Sequence, residues 1–231
     1  MPSEPIVAAD LDELARRAAA WMAGEVKRAV ARSGRCALAL SGGSTPRPAY
    51  ERLATEPAVP WDAVEVYFGD ERAVPPTDPA SNYRMARETL IERVGLPEGC
   101  VHRMEADDPD LEAAAARYAA LLPDRLDVLV LGMGPDGHTA SLFPRSPALR
   151  ETKRKVVPAT SPVPPVNRLT ITPPVIASAR RVSVITAGAA KAPLVAQVLQ
   201  GPWRPEELPA QLAREGTWII DRGAAAGLAT R

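Results

Sequence analysis

The sequence predicts an α/β protein built on a mostly parallel sheet flanked by helices on both faces. Two observations predict it. Short apolar runs alternate with amphipathic or Ala-rich stretches along almost the whole chain. Several of the runs are apolar at consecutive positions, as strands buried on both faces are. No internal repeat or low-complexity tail breaks the alternation, so residues 1–231 are read as one domain. A chain of this length buries roughly 70–75% of its unfolded surface and needs no disulfide or structural metal.

The elements follow in order. From Ala9 to Ser33, Leu11, Leu14, Ala18, Trp21, Met22, Val26 and Val30 recur at helical spacing, with charges on the other face. Gly34 fits a helix stop. Cys36 to Leu40 reads as a strand, broken by Ser41-Gly42-Gly43-Ser44-Thr45. Pro46 suits the first position of a helix through Tyr50 and Leu53. Val64 to Phe68 is the next strand, followed by a polar, Pro-rich loop from Gly69 to Pro79. Ser81 caps a helix through Met85, Leu90 and Val94, and Leu111 to Leu122 is an Ala-rich helix. Leu126 to Leu131 is the clearest buried strand. Pro158 to Pro165 reads as a loop. Strands are expected at Arg168 to Thr172, Val182 to Thr186 and Thr217 to Asp221, and a helix at Ala189 to Gln200.

Composition narrows the function. Hydrophobic residues make up 46% and aromatics only 4%, so Ala, Val, Leu and Ile must build the core. The formal net charge is zero, which lacks the basic excess of a nucleic-acid binder, so an anionic partner should be small and locally held. Cys36 and Cys100 are too few for a disulfide framework and lack metal-ligand spacing; Cys36 reads as a buried small hydrophobe. Met1 to Asp10 carries acids and no basic leader, and no apolar run approaches the roughly 20 residues of a membrane span. The expected setting is cytoplasmic, with no membrane or nucleic-acid partner, as a monomer or weak homo-oligomer.

In open α/β sheets ligands sit at the carboxyl ends of strands, and three strand ends here are unusual. Ser41-Gly42-Gly43-Ser44-Thr45-Pro46 follows a strand and opens a helix, an arrangement that suits a phosphate and equally a plain capped turn. It lacks the Gly-Lys-Ser/Thr ending of a nucleotide P-loop. Gly69-Asp70-Glu71-Arg72-Ala73-Val74-Pro75 clusters charges in a loop stiffened by proline; alone it reads as a solvated loop with local ion pairs. Gly132 to Phe143 holds His138, one of two histidines, past a Gly-rich turn and at the expected start of a helix. An imidazole there suits a general base, with Asp136 to orient it or touch substrate. His102, in a short extended run, reads as structural. Lys191 at a strand-to-helix junction reaches an anion or solvent, and Arg168 grips a phosphate or pairs with a carboxylate. There is no Cys/His cluster for zinc and no Gly-x-Ser-x-Gly elbow.

Over nearly its full length the chain resembles the 6-phosphogluconolactonase family. Leu40-Ser41-Gly42-Gly43-Ser44-Thr45-Pro46 is similar to the family's phosphate loop. Asp70-Glu71-Arg72-Ala73-Val74-Pro75 with Ser81-Asn82-Tyr83 resembles its second motif. Gly132-Met133-Gly134-Pro135-Asp136-Gly137-His138-Thr139-Ala140-Ser141-Leu142-Phe143-Pro144 is similar to its signature and is the most specific of the three. Ala190-Lys191-Ala192 and Trp218-Ile219-Ile220-Asp221 match as well. Ile171-Thr172-Pro173-Pro174 departs from the usual Thr-Leu-type continuation and touches only local backbone detail.

The resemblance implies a Rossmann-like fold shared with glucosamine-6-phosphate deaminases and ribose-5-phosphate isomerases. It implies hydrolysis of 6-phospho-D-glucono-1,5-lactone, the second step of the oxidative pentose phosphate pathway, with no metal or organic cofactor. The expected catalytic residues are His138 as base, Asp70 or Asp136 to orient the imidazole or sugar hydroxyls, and Arg72 on the oxyanion or phosphate. The expected substrate contacts are Ser41, Gly42, Gly43, Ser44, Thr45, Asn82, Gly134, Arg168 and Lys191. A deaminase on the same fold is the nearest rival, but His138 is followed by Thr-Ala-Ser-Leu-Phe-Pro and not the acidic Ile-Ala-Phe-Asn-Glu-Pro type. A non-catalytic sugar-phosphate-binding domain of a regulator would need a DNA-binding module, for which the sequence shows no room.

Overall fold

The apolar runs assemble around one parallel sheet in the computed structural model, which describes residues 4–229. In chain order the elements are β1 (Ile6–Ala8), α1 (Leu11–Ser33), β2 (Cys36–Leu40), α2 (Arg47–Leu53), β3 (Val64–Phe68) and β4 (Asp70–Arg72). Next come α3 (Asn82–Ala86), a π-helical turn (Arg87–Ile91), α4 (Glu92–Val94), α5 (Leu111–Leu121) and β5 (Val128–Gly132). The remainder holds β6 (Val156–Thr160), β7 (Asn167–Ile171), α6 (Pro173–Ser178), β8 (Arg181–Thr186), α7 (Ala192–Gln200), β9 (Thr217–Asp221) and α8 (Arg222–Ala225).

The main sheet has the order β1-β9-β8-β5-β2-β3, and every pairing in it is parallel. It is flanked by helices, as a Rossmann-like α/β sheet is. Its central strands β2 and β5 carry no polar side chain other than the Cys36 thiol because both faces are covered: Leu38, Leu40, Val128, Leu129, Val130 and Leu131 are fully buried. From β2 the chain winds to the β3 edge; from β5 it winds the other way through β8 and β9. The direction therefore reverses between β2 and β5, and a crevice opens beyond their carboxyl ends.

Helix α1 begins at Asp10, whose carboxylate accepts from the Glu13 amide at 2.8 Å, and ends at Gly34 in the left-handed region at φ 72°. These caps satisfy amides and carbonyls that a helix end leaves open. Its buried stripe includes Leu14, Ala18, Met22 and Val26, but Leu11, expected to be part of that stripe, is 62% exposed in the first turn. Ser81 caps α3 through the Arg84 amide at 3.1 Å. Cys36 is buried, which pushes its thiol up to about 12. His102 stacks on Tyr67 and meets Glu65 at 3.1 Å, a structural role. No described helix is long and apolar enough to cross a membrane.

The structure corrects the sequence reading in several places. Asp70–Arg72, read as loop, is strand β4; it joins β7 and β6 in a separate antiparallel sheet of order β4-β7-β6. The strand expected at Arg168 to Thr172 belongs to this sheet and not to the parallel one. Pro158 lies inside β6, an edge strand where a missing N–H is tolerated. Pro46 caps α2 instead of starting it. The segment after His138 is a series of turns with a Thr139–Leu142 bridge, not a helix. The prolines of the Thr172-Pro173-Pro174 departure open α6, where they need no amide partner.

Candidate active site

The crevice at the strand ends is a cavity of about 490 Å³. Four segments wall it: the loop after β2, strand β4 with its partner β7, the turn after β5, and the 161–165 loop. Lys191, following β8, closes one side.

The loop after β2 brings its backbone close to the cavity because two residues lack a Cβ. Gly43 sits at φ 107°, where an L side chain is strained. Gly42 lies against Asn82: a Cβ on Gly42 would stand 1.7 Å from Asn82 Oδ1. Asn82 cannot retreat easily, since its amide nitrogen donates to the Asp70 carbonyl at 2.8 Å and to Asp70 Oδ1 at 3.2 Å. Ser41, Gly42, Gly43, Ser44, Thr45 and Pro46 all line the cavity.

Strands β4 and β7 supply positive charge. Arg72 and Arg168 stand directly opposite each other in the antiparallel register, so both side chains lie on one face of the small sheet. Arg72 Nη1 donates to the Ala80 carbonyl at 2.7 Å, and Arg168 Nε to the Pro165 carbonyl at 2.8 Å. Among the described residues neither makes an ion pair with a carboxylate, and Arg72 Nε is buried without a partner. Burial, and then the Arg72 charge, pulls the Arg168 guanidinium below its ordinary value, with Asp70 and Glu71 opposing. Two apposed guanidiniums of this kind suit a dianion.

The acids of this segment face different ways. Glu71 is buried beneath the start of α3, where it accepts from the Asn82 and Tyr83 amides at 2.8 Å each and from Ser81 Oγ at 3.1 Å. Burial raises its carboxyl above the ordinary value despite these donors. Asp70 lines the cavity and accepts from Ser141 Oγ at 2.7 Å. Asp70 thus binds Ser141 and Asn82, not the imidazole.

The imidazole is held by Asp136. Gly132-Met133-Gly134-Pro135-Asp136-Gly137 forms a compact turn in which Gly134 N–H donates to the His138 carbonyl at 2.9 Å and Gly137 takes φ 84°. The turn folds His138 back over Gly134, whose missing Cβ leaves room for the ring. His138 Nδ1 meets Asp136 Oδ1 at 2.5 Å, and the same oxygen accepts the His138 amide at 3.1 Å. Burial works to raise the Asp136 carboxyl, but the His138 hydrogen bonds and charge outweigh it and hold the carboxyl below its ordinary value. An acceptor at Nδ1 fixes the tautomer with the proton there and leaves Nε2 as the free lone pair. Phe143 packs on the ring with centroids 4.6 Å apart.

Lys191 is half-buried, its Nζ donating to the Met133 carbonyl at 2.5 Å and to Thr186 Oγ1 at 3.1 Å. Burial lowers its ammonium below the ordinary lysine value.

All but two of the expected site residues therefore line one cavity: Ser41 to Thr45, Asp70, Arg72, Gly134, His138, Arg168 and Lys191. Asp136 stands behind His138, and Asn82 behind Gly42 on a smaller adjoining cavity. Ser141, Phe143 and the 161–165 loop also shape the cavity and were not singled out from sequence. Ser141 and Phe143 fall within the Gly132–Pro144 signature, but only the contacts with Asp70 and His138 show their use.

The family model for glucosamine-6-phosphate isomerases and 6-phosphogluconolactonase matches residues 9–220. The chain belongs to this family. A 6-phosphogluconolactonase from Synechocystis is 36% identical over 228 residues, covering 93% of this chain and 94% of that one. One from Mycobacterium tuberculosis is 38% identical, covering 95% and 96%. The solved 6-phosphogluconolactonase of Trypanosoma brucei superposes with a TM-score of 0.85 at 31% identity, covering 98% of this chain and 99% of that one. The family match spans β2, β4, β5 and β8 with every cavity residue named above.

Proposed function

We propose that the protein hydrolyses 6-phospho-D-glucono-1,5-lactone to 6-phospho-D-gluconate by His138-assisted attack of water, as the second step of the oxidative pentose phosphate pathway. Its relatives make it an enzyme of the 6-phosphogluconolactonase type, a lactone hydrolase. The observation that carries the mechanism is the Asp136–His138 pair at 2.5 Å, on a cavity that also holds Arg72, Arg168, Lys191 and the Gly42-Gly43 loop.

The chemistry needs a proton acceptor for water, a partner for the tetrahedral oxyanion and a proton for the leaving ring oxygen. With Nδ1–H donated to Asp136, His138 Nε2 takes the proton of the water that attacks C1. Asp136 stabilises the imidazolium so formed. His138 then returns the proton to the ring oxygen as the C1–O bond breaks, which gives the open acid. Such a base contributes typically about 10²–10⁴ in rate. Arg72 meets the oxyanion or, with the apposed Arg168, the 6-phosphate, which Gly42, Gly43, Ser44 and Lys191 also hold. Phosphate binding orients C1 towards the water, so its energy serves the chemical step.

Freshly generated 6-phosphogluconolactone, with spontaneous opening subtracted, tests this reading. Wild type should hydrolyse it rapidly, and His138→Ala should lose about 10²–10⁴ in kcat while keeping its fold. Folded wild-type protein with no excess over the spontaneous rate overturns the lactonase reading. A His138→Ala variant with near-normal turnover overturns the assignment of the base.

A further inference from the structure

The anion-binding loop has no hydrogen-bonded ladder of its own. The β2–β3 register ends at Leu40 with Phe68, so Ser41 is the first residue past it and its peptide groups need other partners. They find them on Tyr50, a fully buried residue of α2. The Tyr50 hydroxyl accepts from Ser41 N–H at 3.0 Å and donates to the Ser41 carbonyl at 3.0 Å. The backbone N–H of the same tyrosine donates to the Pro46 carbonyl at 3.1 Å. That amide hydrogen bond is the first intrahelical bond of α2, so the hydroxyl ties the start of the loop to the helix that opens at its other end.

The neighbouring strand carries the same device: buried Tyr118 of α5 accepts from Phe68 N–H at 2.7 Å and donates to the Phe68 carbonyl at 3.1 Å. Burial pushes the Tyr50 hydroxyl up to about 12, so it keeps the proton it donates throughout the neutral range.

We propose that Tyr50 is the positioning residue of the anion-binding loop, its hydroxyl holding the loop start against α2 at the span that presents Gly42, Gly43 and Ser44 to a phosphate. This rests on the loop binding the phosphate of the substrate. Tyr50→Phe removes the hydroxyl and keeps the ring and the helical bond to Pro46. The loop start is then free to shift, and phosphate affinity depends steeply on where its donors stand.

The experiment is calorimetric titration of wild type, Tyr50→Phe and Val198→Ala with 6-phosphogluconate and with unphosphorylated gluconate, alongside thermal melts. Val198→Ala truncates a fully buried core residue on α7 and controls for lost stability. Tyr50→Phe should bind about tenfold more weakly, near the change that ~1.4 kcal/mol makes, and its KM for the lactone should rise by a similar factor. Val198→Ala should bind within about twofold of wild type at a comparable fall in melting temperature. Tyr50→Phe binding like wild type, or Val198→Ala losing as much affinity as Tyr50→Phe, overturns the clamp. Wild type that hydrolyses the lactone yet shows no phosphate dependence of binding overturns the loop assignment and the clamp with it. Wild type that hydrolyses nothing overturns the lactonase reading on its own evidence.

Discussion

Asp136 Oδ1 lies 2.5 Å from His138 Nδ1, although the two residues are separated by a single glycine. Such closeness between i and i+2 side chains requires the chain to double back, and Gly137 at φ 84° provides the reversal. The pair is therefore built within one local turn.

Replacement of the carboxylate should separate its charge from its geometry. Asp136→Asn keeps an oxygen for Nδ1–H but loses the charge that stabilises the imidazolium. Its kcat should fall roughly tenfold or more, yet less than the drop in His138→Ala. The pair has a stability signature as well. The Asp136 carboxyl is depressed in the fold, so its contribution is complete above the ordinary Asp value of about 3.9 and is lost as pH falls through the lower folded value. The difference in melting temperature between wild type and Asp136→Asn, followed into acid, should shrink in that window. A difference that does not change with pH contradicts the pairing.

Gly134→Ala should reproduce much of the His138 defect without touching a titratable group. A Cβ there would fall 2.0 Å from His138 Cε1 and 2.2 Å from Nδ1. The ring must swing away and leave Asp136. Kinetics should show kcat down by about 10² or more, with a modest change in melting temperature because the ring is partly solvent-facing. Near-normal kcat in a folded variant would mean that the ring position is not what the turn is for.

The parts of the fold legible in the sequence were those with their own periodicity. Strands β2 and β5 are apolar because both faces are covered, β3, β8 and β9 each hold a buried apolar run, and α1 and α5 carry a stripe and caps. The residues missed as elements owe their state to distant partners. Asp70–Arg72 has no apolar alternation and is a strand only because Asn167–Ile171 pairs with it. Val156–Thr160 was hidden by Pro158, and Ile6–Ala8 is three residues whose pairing lies at the opposite end of the chain. The same limit applies to the candidate site. Glycine-rich strand ends and a lone histidine mark the cavity in the sequence. That Asp136 and not Asp70 meets the imidazole, and that Arg72 faces Arg168, depend on a turn and a register that spacing does not encode.

The Arg72–Arg168 apposition should cost the empty protein stability. Like charges directly opposite on a sheet repel, and among the described residues neither guanidinium has a carboxylate in ion-pair range. Arg168→Met keeps most of the stem and removes the repulsion. Without ligand its melting temperature should equal or exceed that of wild type. Its KM for the phosphorylated lactone should rise about tenfold to a hundredfold, as loss of a charge-assisted contact worth roughly 1.5–3 kcal/mol requires. Melting several degrees lower in the absence of anions would show that Arg168 is structural.

Lys191 gives the site an alkaline limit. Burial holds its ammonium below the ordinary lysine value of about 10.4, and a phosphate is attracted only to the charged form. Between the folded and ordinary values the unfolded chain holds a proton that the folded chain has released, so this group makes stability rise with pH across that window. Ligand affinity moves the opposite way, falling as pH climbs through the folded value. Titration with 6-phosphogluconate from neutral to alkaline pH should show that decline setting in before an ordinary lysine would titrate. Lys191→Met should bind more weakly at neutral pH and show no such decline. If the variant retains the same alkaline fall, another cation carries the phosphate and Lys191 serves only the Met133 carbonyl and Thr186 hydroxyl that it touches.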